Sequence, residues 1–541
     1  MYKKQEISPM LLSDCYKIFH YSLYDRKIGK IYSTWTPRKS RMEGIDKVVV
    51  FGLQGFIKKY LIDYFNENFF DKPLDEVVND YRRILKYSLG VEEPYTKHIE
   101  DLHKLGYLPV KIDALDEGTL CPIKCPCFTI ENTLPEFMWV TNFLETLLST
   151  EIWKPMTSAT IALQYRKILD KWAKETCDNN EHVDFQGHDF SLRGMASLDA
   201  GIISGAGHLT SFKGTDTIPA ICYLEQYYNA DVEQECVGTS IPATEHSIME
   251  YNSYGTETDE YEAFKRIITE VYPKGFVSIV SDTWNLWHVL SDTVPRLREE
   301  IARRDGRVVI RPDSGDPCDI ICGLNTNDKY NFKDGKLYIQ TDEIESNGPV
   351  SYYKSKEVTG DYIEQQSKGV IEILWDIFGG TINSKGYKVL DPHIGSIYGD
   401  AVTLERAEEI CRRLESKGFA SSNIVFGIGS YTYNMNTRDT FGFALKTTYG
   451  VKDGKEILLF KDPITDSGEK KSQKGMVIVT YDKDGNLVYV DELTADTKQK
   501  MHSVDLLKPL FKDGKLLRET SLSEIRDKIK EQTRTKELIT V

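Results

Sequence analysis

The sequence predicts an α/β protein built on an irregular parallel α/β barrel, with a second mixed α+β domain made from both chain ends. Three observations carry this reading. Seven short apolar runs end in small, acidic or basic residues: Val183–Arg193, Leu209–Thr217, Thr239–Ser247, Phe276–Thr283, Arg307–Asp316, Ile394–Val402 and Ile424–Ser430. Helix-length segments separate most of them, and strand followed by helix with polar strand ends is the pattern of a TIM-like barrel. Outside this region the chain alternates like an antiparallel sheet and carries Asp-Gly turn signals.

In chain order, Tyr32–Trp35 and Val48–Phe51 read as strands, and Leu53–Phe65 and Leu74–Leu89 as amphipathic helices. Val110–Ala114 and Phe128–Glu131 alternate like strands. Thr141–Ile152 and Ile161–Thr176 have helical spacing. Ser197–Gly207 is a small-residue helix, and Tyr261–Val271 and Trp284–Arg304 are amphipathic. Residues from about 323 to 368 are polar and hold Asn-Gly and Asp-Gly, which reads as an inserted hairpin or arm. Helix Val370–Phe378 resumes the barrel. Asp-Gly pairs within Lys452–Lys455, Lys483–Asn486 and Lys512–Lys515 read as type I′ hairpin turns, because the pair tolerates positive φ. The division is 1–150, 151–450 with the insert, and 451–541, the first and last packing together.

A chain of 541 residues exceeds one compact core. Its net charge of -15 argues against nucleic acid or an anionic membrane as the main partner. Met1–Tyr21 is broken by Lys, Asp and Ser, and no apolar run approaches the roughly 18 residues of a membrane span, so a cytoplasmic protein is expected. Cys121, Cys125 and Cys127 cluster, but no second pair sits at zinc-site spacing, and the plain reading is a strand edge.

The chemistry should sit at the strand ends. In Val309–Pro317, Arg311 and Asp313 lie two apart and can both face the barrel mouth. Arginine offers paired donors to phosphate. Asp313 can accept from sugar hydroxyls or order Mg²⁺. Arg193 and Arg438 add guanidiniums, and Asp216, Glu245, Asp282 and Asp400 add carboxylates. Gly399 and the stretch Gly427–Ser430, with Gly429 inside it, can turn backbone N–H groups toward a phosphate. His246 lies between Glu245 and Ser247. Arginines with glycine turns suit a phosphorylated sugar. A carboxylate-based glycosidase would leave the arginines without a purpose, and a non-catalytic binder is expected to have lost Asp216, Arg311 or Asp313.

These residues, in this order, resemble the nicotinamide phosphoribosyltransferases among the type II phosphoribosyltransferases. The resemblance runs through LLSDCYKIFHY (Leu11–Tyr21), FGLQ (Phe51–Gln54), GHDFSLRG (Gly187–Gly194), FKGTDT (Phe212–Thr217), SIPATEHS (Ser240–Ser247), IRPDSGDP (Ile310–Pro317), YGD (Tyr398–Asp400), TRD (Thr437–Asp439) and KDP (Lys461–Pro463). It implies condensation of nicotinamide with phosphoribosyl pyrophosphate to nicotinamide mononucleotide and pyrophosphate, with Mg²⁺ carried by the pyrophosphate and ATP as a coupling substrate. It implies that Phe190 stacks on the nicotinamide ring and that Tyr16 of the partner subunit covers the other face. Asp216 then accepts from the carboxamide, and Arg311 meets ring and phosphate. Asp313, Gly399 and Asp400 hold the ribose. Arg193 and His246 meet the pyrophosphate, with Ser278 and Asp282 nearby, Ser430 and Arg438 hold the 5′-phosphate, and Ser240 and Gly429 complete the substrate-binding set. Asp14, Lys17 and Arg38 belong to the partner-derived wall of a homodimer. His246 matches the histidine that the family phosphorylates from ATP.

The related nicotinate enzymes remain the alternative. An ionised Asp216 about 4 Å from a nicotinate carboxylate would cost roughly 4 kcal/mol at an effective dielectric near 20. Two departures from the animal members stand out besides the insert. Gly429–Ser430–Tyr431 replaces a triple glycine, and Met435 replaces a lysine.

Overall fold

The computed structural model describes residues 6–334, 336–347, 350–399, 402–463, 465 and 471–539. Its centre is a curled parallel sheet of six strands: β1 (Gly187–Asp189), β2 (Gly214–Thr215), β3 (Val277–Val280), β4 (Val308–Arg311), β5 (Ile394–Tyr398) and β6 (Ile424–Ile428), in the order β2-β1-β6-β5-β4-β3. The strands are buried almost throughout, as expected of parallel strands covered by helices. The expected strand within Thr239–Ser247 forms only isolated parallel bridges, Thr239 to Gly214 and Ala243 to Ser278. Pro242 explains this, since it has no N–H to donate; its carbonyl accepts from Ser278 N at 2.8 Å. The segment still spans from β2 to β3, the two edge strands of the sheet.

The second domain is a seven-stranded antiparallel sheet. Its order is Lys455–Leu458, Phe443–Lys452, Ile28–Pro37, Phe128–Asn132, Val110–Ala114, Lys508–Lys512 and Lys515–Leu516. Both chain ends therefore share one sheet, which begins before residue 450. Trp35 is its anchor: buried, it stacks on Phe128 and Phe443 of the two neighbouring strands, with ring centroids 5.8 and 5.5 Å away.

Helix α1 (Glu145–Thr176) joins the domains. Its first half, including Leu148, Ile152 and Met156, packs into the sheet-domain core. Its second half, including Ile161, Tyr165 and Leu169, packs into the barrel core. Two expected helices are thus one, which runs through Pro155. Further helices used below are α2 (Leu198–His208), α3 (His246–Asn252), α4 (Ser430–Asn434) and α5 (Leu522–Ile539).

The insert forms an antiparallel arm of Tyr330–Lys333, Lys336–Asn347 and Val350–Glu357. Asp453-Gly454 and Asp513-Gly514 adopt positive φ at both residues, as type I′ turns require. At Asp484-Gly485 only the glycine does. There the Asp482 carboxylate accepts from the backbone N–H of Asp484 and Asn486, at 2.9 and 2.8 Å, and a longer loop results. Among the described residues, no helix is long and apolar enough to cross a membrane.

Candidate active site at the strand ends

Strand β1 ends at Asp189, which is fully buried and serves as a brace. Its Oδ2 accepts from Thr217 Oγ1 at 2.7 Å, its Oδ1 from Ser191 N at 2.9 Å, and its carbonyl from Asp216 N at 2.9 Å. The next residue, Phe190, donates its N–H to Ile428 O at 3.0 Å, and its ring lies 4.5 Å from that of His188.

Asp216 follows β2 beside this pair. His188 Nε2 donates to its Oδ1 at 2.9 Å, and Ser240 Oγ donates to the same oxygen. Burial opposes its ionisation. The hydrogen bonds from His188 and Ser240, with the positive charge of His188 and Arg311, outweigh burial and hold its carboxyl below the usual aspartate range. His188 is absent from the sequence-derived set. Its signal lay in GHDF, where alternation along the strand puts it on the same side as Phe190.

The register Ser278↔Val309 and Val280↔Arg311 places Ser278 and Arg311 on one face of the sheet. Arg311 Nη2 donates to Thr244 O at 2.5 Å. Arg311 Nε and Ser278 Oγ are buried without a partner in the described structure, and such orphaned groups suit a polar ligand. Beyond β4, Asp313 N and Ser314 Oγ both donate to Asp282 Oδ2, at 2.9 and 2.5 Å. Asp282 Oδ1 is buried and unpartnered. The Asp313 carboxylate faces Gly399 and lies 3.8 Å from His246 Nε2. His246 begins α3, and its Nδ1 is 3.3 Å from Thr283 Oγ1. Asp400 lies outside the described residues.

On the opposite side, Gly429 precedes α4 and Ser430 opens it. Gly194 packs so closely on Ser430 that a Cβ there would fall 2.1 Å from Ser430 Oγ. This contact brings the exposed Arg193 alongside the turn.

A family model described as the nicotinate phosphoribosyltransferase family matches residues 185–515. A second, for the N-terminal domain of nicotinamide phosphoribosyltransferase, matches residues 8–112. The chain belongs to the nicotinate phosphoribosyltransferase family. It is 45% identical to a nicotinamide phosphoribosyltransferase of Acinetobacter baylyi over 97% of this chain and 98% of that one. It is 34% identical to one from Mycoplasma pneumoniae, over 84% and 92% of the two chains. The fold matches the crystal structure of a nicotinate-nucleotide pyrophosphorylase from Pyrococcus furiosus with a TM-score of 0.51, at 14% identity, across 99% of this chain and 98% of that one.

The remaining residues of the family pattern lie on the sheet domain. Tyr16 and Lys17 belong to helix Cys15–Leu23, where Tyr16 is 58% exposed. Lys17 pairs with Glu145, Asp14 Oδ2 accepts from Thr146 Oγ1 at 2.8 Å, and Arg38 Nε donates to Gly442 O at 3.0 Å. Lys446 on strand Phe443–Lys452 joins them: its Nζ lies 3.8 Å from Glu145 Oε1. Burial lowers its pKa, and the charges of Arg38, Arg438 and Lys461 push it down further, against the pull of Glu145. Arg38, Arg438 and Lys446 thus gather their charges on one part of the sheet domain, and Lys446 is absent from the sequence-derived set.

Proposed function

We propose that this chain is a nicotinamide phosphoribosyltransferase, joining nicotinamide to 5-phosphoribosyl 1-pyrophosphate in NAD biosynthesis. The observation that carries the reading is Asp216. An ionised carboxylate, fixed by His188 and Ser240 beside Phe190 and Arg311, asks for a neutral donor, which a carboxamide supplies and a nicotinate carboxylate does not.

The chemistry follows from position and charge. As pyrophosphate leaves, positive charge grows at the ribose anomeric carbon and negative charge on the leaving group. Arg193, His246 and Arg311 offset the latter. Asp313 and Gly399 hold the ribose hydroxyls, with Ser278 and Asp282 close by. Gly429 and Ser430 hold the 5′-phosphate, and Arg438, whose charge acts on Tyr16 and Lys446, serves the partner's site with Arg38. Phe190 below the ring and Tyr16 of the partner subunit above it align the pyridine nitrogen for attack, so placement does the work of a base. Asp282, whose Oδ1 is buried and unpartnered in the described structure, would hold a Mg²⁺ ion or its water shell, and the ion would supply charge neutralisation for the pyrophosphate.

ATP enters through His246, whose half-exposed ring accepts the γ-phosphoryl group while ADP departs. The enzyme is a cytoplasmic homodimer, with Asp14, Lys17 and Arg38 walling the partner's site. Incubation with phosphoribosyl pyrophosphate, Mg²⁺ and equal nicotinamide and nicotinate, with and without ATP, tests the reading. Nicotinamide mononucleotide should dominate; predominant nicotinate mononucleotide would overturn it.

A further inference from the structure

The phosphate side of the site is fastened from behind by buried polar groups that have no part in the reaction as described. Tyr433, on α4, is fully buried, and its hydroxyl donates to His208 Nδ1 at 2.7 Å. His208 is the last residue of α2 and is equally buried. Its Nε2 donates to Gly214 O at 2.9 Å. A carbonyl can only accept, so the proton sits on Nε2 and Nδ1 must accept from the tyrosine. Burial lowers the imidazole pKa to about 4, so this tautomer persists at neutral pH. Gly214 opens β2, two residues before Asp216.

Helix α4 is also pinned to α1. Lys154 Nζ donates to Tyr433 O and, at 3.0 Å, to Asn436 Oδ1. Thr432 Oγ1 lies 3.1 Å from Tyr165 OH, which donates to Val402 O at 2.7 Å. The helix that begins at Ser430 therefore cannot shift without disturbing the strand end that carries Asp216. Hydrogen-bonded groups in a dry interior resist such disturbance, because each unmade bond leaves a desolvated group behind.

We propose that Tyr433 and His208 are positioning residues that couple the two halves of the site. They tie the Gly429–Ser430 turn to the Asp216 strand end, so that filling the phosphate side tightens the hold on the pyridine ring. The inference rests on the assignment of Ser430 to phosphate and Asp216 to the ring made above. Its physical basis is shared ordering: the ligand that binds first fixes an element that the second then need not fix.

Calorimetry on the full chain tests it, with nicotinamide titrated alone and in saturating ribose 5-phosphate. The wild type should bind nicotinamide about fivefold or more tightly when ribose 5-phosphate is present. Tyr433→Phe keeps the ring and deletes the hydroxyl, and its ratio should fall to within about twofold of unity. His208→Gln can accept from Tyr433 and donate to Gly214, and should keep most of the coupling. A purely structural role would lower Tm and leave the ratio alone. An unchanged ratio in Tyr433→Phe, or no coupling in the wild type, overturns the proposal. A wild type that binds neither ligand overturns the functional reading instead. Should Tyr433→Phe not fold, His208→Met, which fills the space without either hydrogen bond, is read the same way.

Discussion

The Asp313 carboxylate lies against Gly399 so tightly that a Cβ at residue 399 would sit 2.3 Å from Asp313 Oδ1. The backbone just after β5 and the acid beyond β4 thus meet at a point that a side chain could enter only by pushing the Asp313 carboxylate aside. Gly399 N also donates to Pro312 O at 3.2 Å, which holds the contact in place.

Gly399→Ala should therefore displace Asp313 rather than unfold the barrel, since φ at Gly399 is not in the left-handed region. A displacement near 1 Å is worth about 100-fold in rate. The expected result is a fall of that order in kcat/KM for phosphoribosyl pyrophosphate, with Tm nearly unchanged. Wild-type kinetics in the variant would show that Asp313 does not hold the ribose.

Asp216→Asn removes the charge and keeps the shape. Selectivity for nicotinamide over nicotinate should fall by roughly 10- to 1000-fold. The upper end corresponds to about 4 kcal/mol of charge repulsion, and the lower end allows for solvent screening at a half-exposed group. Competition between the two bases, read by product chromatography, measures it.

His246→Ala should abolish ATP stimulation and leave basal synthesis measurable. Equal stimulation by ATP in the variant and the wild type would remove His246 from the coupling step. Acid-labile phosphate on the wild type alone, after brief incubation with labelled ATP, is the direct check.

Glu260 is buried, and neither of its carboxyl oxygens has a partner in the described structure. Burial first, then the charges of Glu257 and Asp282, push its pKa up from 4.5 to about 8. The unfolded chain ionises this group near 4.5 and the folded chain only near 8. Its contribution to stability is therefore intact below the first value and lost progressively as pH rises toward the second. Glu260→Gln should flatten that part of the Tm–pH curve and raise Tm at pH 8. Parallel curves for the two proteins would show that Glu260 is already ionised in the folded state.

Much of this site was legible because α/β barrels place polar groups at strand ends in sequence order. Arg311 directly follows an apolar run, Phe190, Asp216 and Asp313 come within a few residues of one, and each lies at or just beyond its strand. His188 was harder to read, since it lies inside its strand and a histidine there is as easily core as ligand support. Lys446 was hidden in the same way within Phe443–Lys452. Glu260 carries no sequence signal of its burial, since it opens a helix among other acids, Glu257, Asp259 and Glu262.

The chain by itself determined the strand ends, the small-residue helix and the Asp-Gly turns at Asp453 and Asp513, because these depend on neighbours a few residues away. It also determined the pairing of both chain ends into one sheet, through their alternating strands. Only the tertiary structure decided that two expected helices are one, shared by two cores. Only it reduced the third barrel strand to two bridges, because Pro242 withholds a donor that its neighbours would have used. Only it joined Tyr433 to His208, residues 225 positions apart in sequence. Such contacts depend on where distant segments come to rest, and no local pattern of size or polarity encodes that.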